Sequence, residues 1–383
     1  MEYPSGSEYQ KSVQNCHICV LDPLLRDGQP QKKSNYGLLV YSGGYTRVFP
    51  VDVNQKMYAL RCWTNSVENV EYRYQEIKTY LEKYQLSCFV LFDYIAEGIL
   101  VNGLKYPILR MEWAEGPNLK TFIQNNLYSS DILEKAADNF LQTVQLLHQN
   151  NIAHGDLQHE NIIVQGQKDD IQMILIDYDS LYIPAFQGMK DEIAGKPSFQ
   201  HPARITNEQS SEATDYIDYF SELVIYLTIL AFAEQPSLWD QFNINALEDF
   251  FFTDQDFIYP DQSPIFEIFD KMSARIQYLA ATLRNYCHQS NITQFIPLEM
   301  LVNIPQAQIK SQTNTLTPSV ENIVTDIAEF SKAIPNKTPH EIKKVKVDQL
   351  IQNIKNLPPP KKTVKKPTRK GIDQLVNNIK STT

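Results

Sequence analysis

The hydrophobic pattern of this 383-residue chain changes once, near residue 115, and the change predicts its fold class. Before it, short runs rich in β-branched and aromatic residues are separated by turn sequences, with one amphipathic helix predicted over residues 67–84. One of these turns, Asn102-Gly103, is a strong hairpin signal before a strand predicted at 104–111. After it, apolar residues recur every three or four positions, a spacing typical of packed helices, and the first two helices are predicted at 118–125 and 131–150. A short hairpin, with strands at 162–164 and 173–176, is predicted to interrupt the helices. Strands followed by helices predict an α+β protein, with a small antiparallel sheet carrying one helix and a larger, mainly helical part.

The same pattern predicts the domain organisation. Residues 36–113 and 114–302 form the two parts, 1–35 are an N-terminal extension, and 303–346 are a polar linker. The basic tail, 347–383, contains two copies of a short amphipathic motif, at 347–355 and 372–380. Because a nine-residue helix is marginal alone in water, each copy is expected to become ordered only when its apolar side docks. The tail is therefore interpreted as a disordered tether, with a pair of partner-docking motifs as the alternative.

The charge distribution limits the classes of partner. The chain carries 35 Lys and Arg against 45 Asp and Glu, although 331–383 hold 13 basic and 3 acidic side chains. The acidic body repels nucleic acid and anionic membranes, and the tail has no interleaved aromatic residues for stacking on bases, so nucleic acid is not expected as a partner. No apolar run reaches the ~20 residues of a membrane span, and the N-terminus does not resemble a secretory signal. Five irregularly spaced cysteines predict free thiols and a cytoplasmic protein.

The most informative stretch is residues 154–161, His-Gly-Asp-Leu-Gln-His-Glu-Asn. Asp156 is followed five residues later by Asn161, and Asp177 comes at the end of a predicted strand. These side chains supply one base and two oxygen ligands. Phosphoryl transfer assisted by magnesium needs that set, because its transition state depends on positioning and charge neutralisation.

At this point the sequence resembles the protein-kinase-like superfamily, over roughly residues 36–300. The 154–161 stretch is similar to the catalytic loop HRDLxxxN of eukaryotic-type Ser/Thr protein kinases of bacterial type, with a glycine after the histidine as in aminoglycoside-phosphotransferase-like enzymes. The segment 176–179, Ile-Asp-Tyr-Asp, stands where the family has DFG. The resemblance implies a two-lobed kinase fold with ATP in the cleft, Asp156 as catalytic base, and Asn161 and Asp177 as ligands of Mg²⁺.

Other segments follow in family order. Residues 42–48 stand at the glycine-rich loop, 108–116 at the hinge, and Arg61 at the lysine of VAIK. Arg61 is not a conservative replacement, because its planar fork differs from a compact ammonium. The resemblance implies that Glu76 pairs with Arg61, that Met111 is the gatekeeper, and that the backbones of Glu112 and Ala114 contact adenine. The implied nucleotide-binding residues are Gly43, Gly44, Val48, Ala59, Arg61, Met111, Glu112 and Ala114.

Two further features concern the lower lobe. Residues 218–224 resemble a family helix whose Asp218 would brace the catalytic loop, and 195–202 resemble the end of an activation segment. Gly155 replaces the family's arginine, so a phosphate on the activation segment would lose its charge-assisted anchor. We therefore expect activity without phosphorylation of Ser180, Tyr182 or Ser198.

The sequence thus predicts an ATP- and Mg²⁺-dependent protein serine/threonine kinase with a protein substrate. Two alternatives stay open. Arg61 also suits a pseudokinase, a scaffold or regulatory module that holds nucleotide without transferring phosphate. The His-Gly-Asp run and Asp179 in place of the DFG glycine suit a small-molecule kinase, whereas the helix at 218–224 favours the protein kinases.

Overall fold

The computed structural model describes residues 3–34, 37–168, 170–190, 195–205, 212–289 and 291–303. The chain divides into two compact units. The first comprises Met1–Gly195 and Glu212–Asp215, and the second comprises Lys196–Ser211 and Tyr216–Thr383. The tail motifs at 347–355 and 372–380 lie outside the described residues, and the predicted domain boundaries stay predictions.

The first unit contains the strands, and every described pair of named strands is antiparallel. They are β1 (Gln29–Pro30), β2 (Lys32–Ser34), β3 (Gly37–Leu38), β4 (Tyr41–Ser42), β5 (Thr46–Val53), β6 (Lys56–Trp63), β7 (Phe92–Val101), β8 (Leu104–Glu112), β9 (Ile162–Gln165) and β10 (Gln172–Leu175). Within the described ranges the main sheet has the order β1-β5-β6-β8-β7, with β4 also paired to β5. The pairs β2-β3 and β9-β10 are separate.

One face of this sheet is covered by the N-terminal segment, which forms helices α1 (Gly6–Gln14) and α2 (Cys16–Cys19). A capping box starts α1, because the Glu8 N–H donates to the Ser5 hydroxyl and the Ser5 N–H donates to the Glu8 carboxylate. Tyr9 and Val13 are fully buried in a core shared with β5, β6 and β8. The segment predicted as an extension is therefore part of the sheet's hydrophobic core.

The other face of the sheet presents most of the strand residues expected to contact nucleotide. Val48 and Leu109 lie opposite Arg61, and Met111 lies opposite Ala59. Because side chains alternate between faces and cross-strand partners share one, all five residues project from the same face. The predicted helix in this region is α3 (Val70–Tyr84), which packs on that face through the contact of Tyr74 with Trp63.

The rest of the first unit also follows the sequence pattern closely. The helices predicted at 118–125 and 131–150 are α4 (Leu119–Asn125) and α5 (Ser130–Gln149), and the predicted hairpin after the catalytic loop is the β9-β10 pair. The Asn102-Gly103 hairpin turn is confirmed, with φ of 51° and 82° at its two residues.

The second unit is helical in its described residues. Its main helix, Tyr219–Glu234, is apolar and buried on all sides, which marks a helix at the centre of a core. The predicted α+β class, with an antiparallel N-lobe sheet and a helical C-lobe, is confirmed. The helices are α6 (Pro202–Ile205), α7 (Tyr219–Glu234), α8 (Leu238–Gln241), α9 (Asp254–Ile258), α10 (Pro264–Phe269), α11 (Ala274–Cys287) and α12 (Leu298–Val302). Across the described ranges, no helix is both long and apolar enough to cross a bilayer.

Candidate active site

The loop between α5 and β9 fixes Asp156 and Asn161 against each other. The Asn161 amide nitrogen donates to the backbone carbonyl of Asp156, at 2.8 Å, and to its carboxylate oxygen Oδ2, at 3.1 Å. Both bonds use the nitrogen of a buried side chain, so the amide oxygen of Asn161 remains as a potential metal ligand. The loop therefore places the Asp156 carboxylate beside the Asn161 amide, whose neutral oxygen can bind a metal ion.

The β9-β10 hairpin brings Asp177 to the same loop. The Ile176 N–H donates to the Asn161 carbonyl at 3.0 Å, and Nε2 of the fully buried His154 donates to the Ile176 carbonyl at 2.9 Å. Asp177 itself has φ of +68°, a left-handed conformation uncommon outside glycine and typical of functional sites. The structure therefore gathers Asp156, Asn161 and Asp177 at one place, with His154 as a packing residue that holds the loop.

Arg61 reaches this place from the sheet. Its Nη2 donates to Oδ1 of Asp177 at 2.7 Å and to Oδ2 of Asp179 at 2.5 Å. The arginine is only 3% exposed, and the Tyr74 hydroxyl donates to Oδ1 of Asp179 at 2.5 Å. A buried cation needs such partners, because an unpaired charge in the protein interior is strongly destabilising.

The two carboxylates of this cluster differ in their affinity for protons. Burial raises the pKa of Asp177, but the charge and hydrogen bond of Arg61 outweigh it and leave that pKa below the usual value. For Asp179, burial prevails over Arg61, and the nearby Asp177 charge adds to it, so its pKa is raised. Asp177 is therefore the better ionised of the two and the better candidate for a metal ligand.

Glu76 does not pair with Arg61, which corrects the expectation from the resemblance. Glu76 is half-buried on α3, and its side chain makes no hydrogen bond or ion pair with any described residue. The residue of α3 that faces Arg61 is Tyr74, whose hydroxyl lies 3.4 Å from the guanidinium Nη1. Positions two apart on a helix point in different directions, so Glu76 faces away when Tyr74 faces the arginine.

The glycine-rich turn lies between β4 and β5. The Gly43 N–H donates to the Thr46 carbonyl at 3.1 Å, which closes a tight hairpin. Neither Gly43 nor Gly44 has a positive φ, and a Cβ at Gly44 would meet no atom within 4 Å. The backbone of the turn does not require glycine at position 44. The absence of a side chain there leaves the backbone accessible.

The strand β8 ends at the predicted hinge. Met111 is buried, the Glu112 N–H already donates to the Leu91 carbonyl at 2.9 Å, and the Glu112 side chain pairs with Lys56. The Ala114 N–H has no hydrogen-bond partner among the residues the structure describes. Of the two backbone amides in the predicted adenine contacts, Ala114 therefore has the open donor.

A steric constraint, which the sequence did not reveal, explains why residue 155 is glycine. Its φ is +80°, and a Cβ there would lie 2.3 Å from the Ser180 carbonyl oxygen. Ala153 and Tyr182 exchange backbone hydrogen bonds beside it, at 3.2 and 2.8 Å, so the chain after Asp179 runs tightly along the catalytic loop. Ser180 and Tyr182 are buried here, and in the second unit so is Ser198. Asp218 is buried in the second unit, and its bracing of the catalytic loop stays a prediction.

The oxygen donors fit magnesium. Asp177 supplies a carboxylate and Asn161 an amide oxygen, and Mg²⁺ in phosphoryl-transfer sites takes one or two carboxylates, with substrate phosphates and water completing its shell. The described ranges contain no group of three or more His, Cys, Asp or Glu side chains that could hold a metal ion by themselves. Cys16 and Cys19 are free, and the Cys16 thiol donates to the Leu25 carbonyl within the core.

A cavity of about 390 Å³ lies elsewhere in the first unit. It is formed by the C-terminal half of α3 and residues 86–92. No residue predicted for the site lines it.

Comparison with known proteins decides the family. The model of the protein kinase domain matches residues 40–315, most of the chain. The chain belongs to the protein kinase domain family. Among solved structures, the kinase PK-1 of Cydia pomonella granulovirus is similar over 67% of this chain and 88% of that chain, at 14% identity and a TM-score of 0.42. The predicted membership of the protein-kinase-like superfamily is confirmed.

Proposed function

We propose that this protein is an ATP- and Mg²⁺-dependent kinase that transfers the γ-phosphate of ATP to a serine or threonine hydroxyl of a protein substrate. The observation that carries the proposal is that Asp156, Asn161 and Asp177 lie close together. The Asn161 amide donates hydrogen bonds to Asp156, and the Ile176 N–H, next to Asp177, donates to the Asn161 carbonyl. Phosphoryl transfer needs a base and two oxygen ligands in that proximity.

Asp156 is the residue we assign to the acceptor hydroxyl. Its Oδ2 accepts a hydrogen bond from the Asn161 amide, which helps to orient the carboxylate that would accept the hydroxyl proton. Asp177, whose pKa is lowered by Arg61 against the effect of burial, is ionised at neutral pH and would hold magnesium together with Asn161. When bound there, magnesium neutralises charge on the transferred phosphate.

The sheet face above this loop suits the nucleotide. Val48, Ala59 and Met111 offer an apolar surface for a base, and the Ala114 N–H offers a hydrogen-bond donor at its edge. Arg61 provides the positive charge that the phosphates require. Membership of the protein kinase domain family supports a protein acceptor over a small molecule. The cytoplasmic location and partner docking through the tail motifs stay predictions.

A pseudokinase is the second candidate, and one contact favours it. The guanidinium of Arg61 lies 2.7 Å from the Asp177 oxygen that the mechanism assigns to magnesium, so cation and metal compete for one carboxylate. The variant Arg61→Lys separates the two functions. An impaired enzyme should gain phosphate transfer, since lysine makes a single-point contact, whereas a scaffold should show no transfer with either residue.

The deciding experiment is transfer of labelled phosphate from ATP to a generic protein acceptor in the presence of Mg²⁺. We expect Asp156→Asn to lower the rate by about 100-fold or more, because it removes the base and keeps the side-chain size. Glu160→Gln is the matched control, since it neutralises an exposed carboxylate of the same loop and should leave the rate unchanged. No transfer by the wild type, or equal transfer by Asp156→Asn, would refute the proposal.

A further inference from the structure

Asp179 is a buried carboxylate to which neither the resemblance nor the mechanism above gives a role. Its side chain is 7% exposed, and both of its oxygens are engaged, Oδ2 by Arg61 and Oδ1 by the Tyr74 hydroxyl. The family has glycine at this position, with no side chain to contact the cation. Asp179 therefore adds a partner for Arg61 that the family pattern lacks.

The two acidic partners of Arg61 differ in what else they can reach. The side chain of Asp177 is 38% exposed and shares the same Nη2 atom with Asp179. A carboxylate that ligates a divalent cation gives up much of its attraction for a neighbouring guanidinium. Asp179 is instead enclosed by Arg61 and Tyr74, which contact one carboxylate oxygen each.

The backbone that carries Asp179 is itself fixed to helix α3. Nη2 of Arg73 donates to the carbonyls of Asp179 and Leu181, both at 3.1 Å, and its guanidinium stacks on Phe186 at 4.4 Å. Arg73 and Tyr74 are consecutive residues of α3. Arg73 binds the backbone carbonyl of Asp179, and Tyr74 binds its side chain. The carboxylate is thereby held in one position relative to the sheet.

We propose that Asp179, oriented by Tyr74, is the positioning residue that keeps Arg61 directed at the nucleotide phosphates while Asp177 holds the metal. This inference rests on the proposed function of the site. Asp179 takes the task that the resemblance assigned to Glu76, and it reaches Arg61 from the segment after β10 and not from α3.

Nucleotide affinity tests the inference without depending on catalysis. Titration calorimetry of the full chain with ADP should show about 10-fold weaker binding for Asp179→Asn when Mg²⁺ is present, the size expected for one lost hydrogen bond to a charged group. Without Mg²⁺, Asp177 still holds Arg61, so the loss should be about threefold or less. A general folding defect would weaken both titrations equally and would overturn the inference.

Milder and competing variants complete the test. Tyr74→Phe keeps the ring contacts and removes only the hydroxyl, so it should weaken binding in the same Mg²⁺-dependent way by a smaller factor. Glu71→Gln, an exposed carboxylate in the first turn of α3, is the matched control and should change nothing. If Glu76→Gln weakens binding as much as Asp179→Asn does, the positioning role belongs to Glu76 and the inference fails.

A double-mutant cycle shows whether Asp179 acts through Arg61. Because lysine cannot reproduce the shared contact, Asp179→Asn should change ADP affinity much less in an Arg61→Lys background than in the wild type. An equal change in the two backgrounds would overturn the inference. A wild type that binds ADP but transfers no phosphate refutes the proposed function and leaves the affinity test valid, whereas a wild type that binds no ADP refutes both.

Discussion

Gly155 stands where its family carries arginine, and the backbone explains the replacement. A side chain there would need a left-handed conformation and would strike the Ser180 carbonyl. Gly103 offers a matched comparison, because its φ of 82° is nearly the same as the 80° of Gly155 and a Cβ there meets nothing within 4 Å. We expect Gly103→Ala to lower the free energy of unfolding by about 1 kcal/mol, from backbone strain alone.

Gly155→Ala should lower the free energy of unfolding by about 3 kcal/mol, because overpacking against Ser180 adds to the same backbone strain. Denaturant unfolding of both variants measures the difference. Equal losses at the two glycines would contradict the close approach of Ser180.

At the residue scale, the sequence predicted the oxygen donors and missed their neighbours. Asp156, Asn161 and Asp177 were assigned from spacing and resemblance, and the structure gathers them around one loop. Tyr74 and Asp179 had no such signal, because their hydrogen bond joins residues 105 apart in sequence. Only the acidic residue in place of a glycine marked Asp179, and its partner could not be read from local pattern.

At the scale of elements, His201 links the segment before α6 to α11 in the second unit. Its Nε2 donates to the Tyr286 carbonyl at 3.0 Å, and its Nδ1 accepts the Ala203 N–H at 3.2 Å, so the ring must be neutral. Phe220 and Phe295 pack edge-on against it. Burial lowers the pKa of His201 below 6.5, despite opposing hydrogen bonds to backbone carbonyls.

This lowered pKa gives a signed pH dependence. As pH falls through 6.5, His201 binds a proton in the unfolded chain but stays neutral in the folded chain. The free energy of unfolding is therefore higher above that pH and decreases below it. The contribution of one such group to the slope approaches at most about 1.4 kcal/mol per pH unit. His201→Gln, which removes the titrating ring, should flatten the dependence of unfolding free energy on pH between 7 and 5. An unchanged slope would contradict the assignment.

The elements themselves show where sequence patterns succeed. Helix α3 and the β7-β8 hairpin were predicted to within a few residues, because periodicity and the Asn-Gly turn are local signals. Helix α1 was missed, although Ser5 and Glu8 have the spacing of a capping box. Its nine residues are too few for periodicity alone, and its stability comes from the sheet beneath it.

At the scale of the whole molecule, the family match begins at residue 40, but the core of the first unit does not. Tyr9, Val13 and Val20 are fully buried against the sheet, and the Leu21 N–H donates to the Gly98 carbonyl at 2.8 Å. A chain starting at residue 36 would therefore expose one apolar face of the sheet to water. Exposed apolar patches of that kind promote aggregation and loss of stability.

We expect the chain lacking residues 1–35 to unfold at a lower temperature than the full chain, or to aggregate on purification. Tyr9→Ala tests the same contact in the intact chain and should lower the free energy of unfolding by about 3 kcal/mol, since it leaves a cavity in the core. Tyr128→Ala is the matched control, because that ring is 82% exposed and its removal should change stability by less than about 0.5 kcal/mol. Equal stability of the truncated and full chains would contradict a structural role for the N-terminal segment. In that case, an activity assay on a chain that starts where the family match begins, at residue 40, would be as informative as an assay on the whole protein.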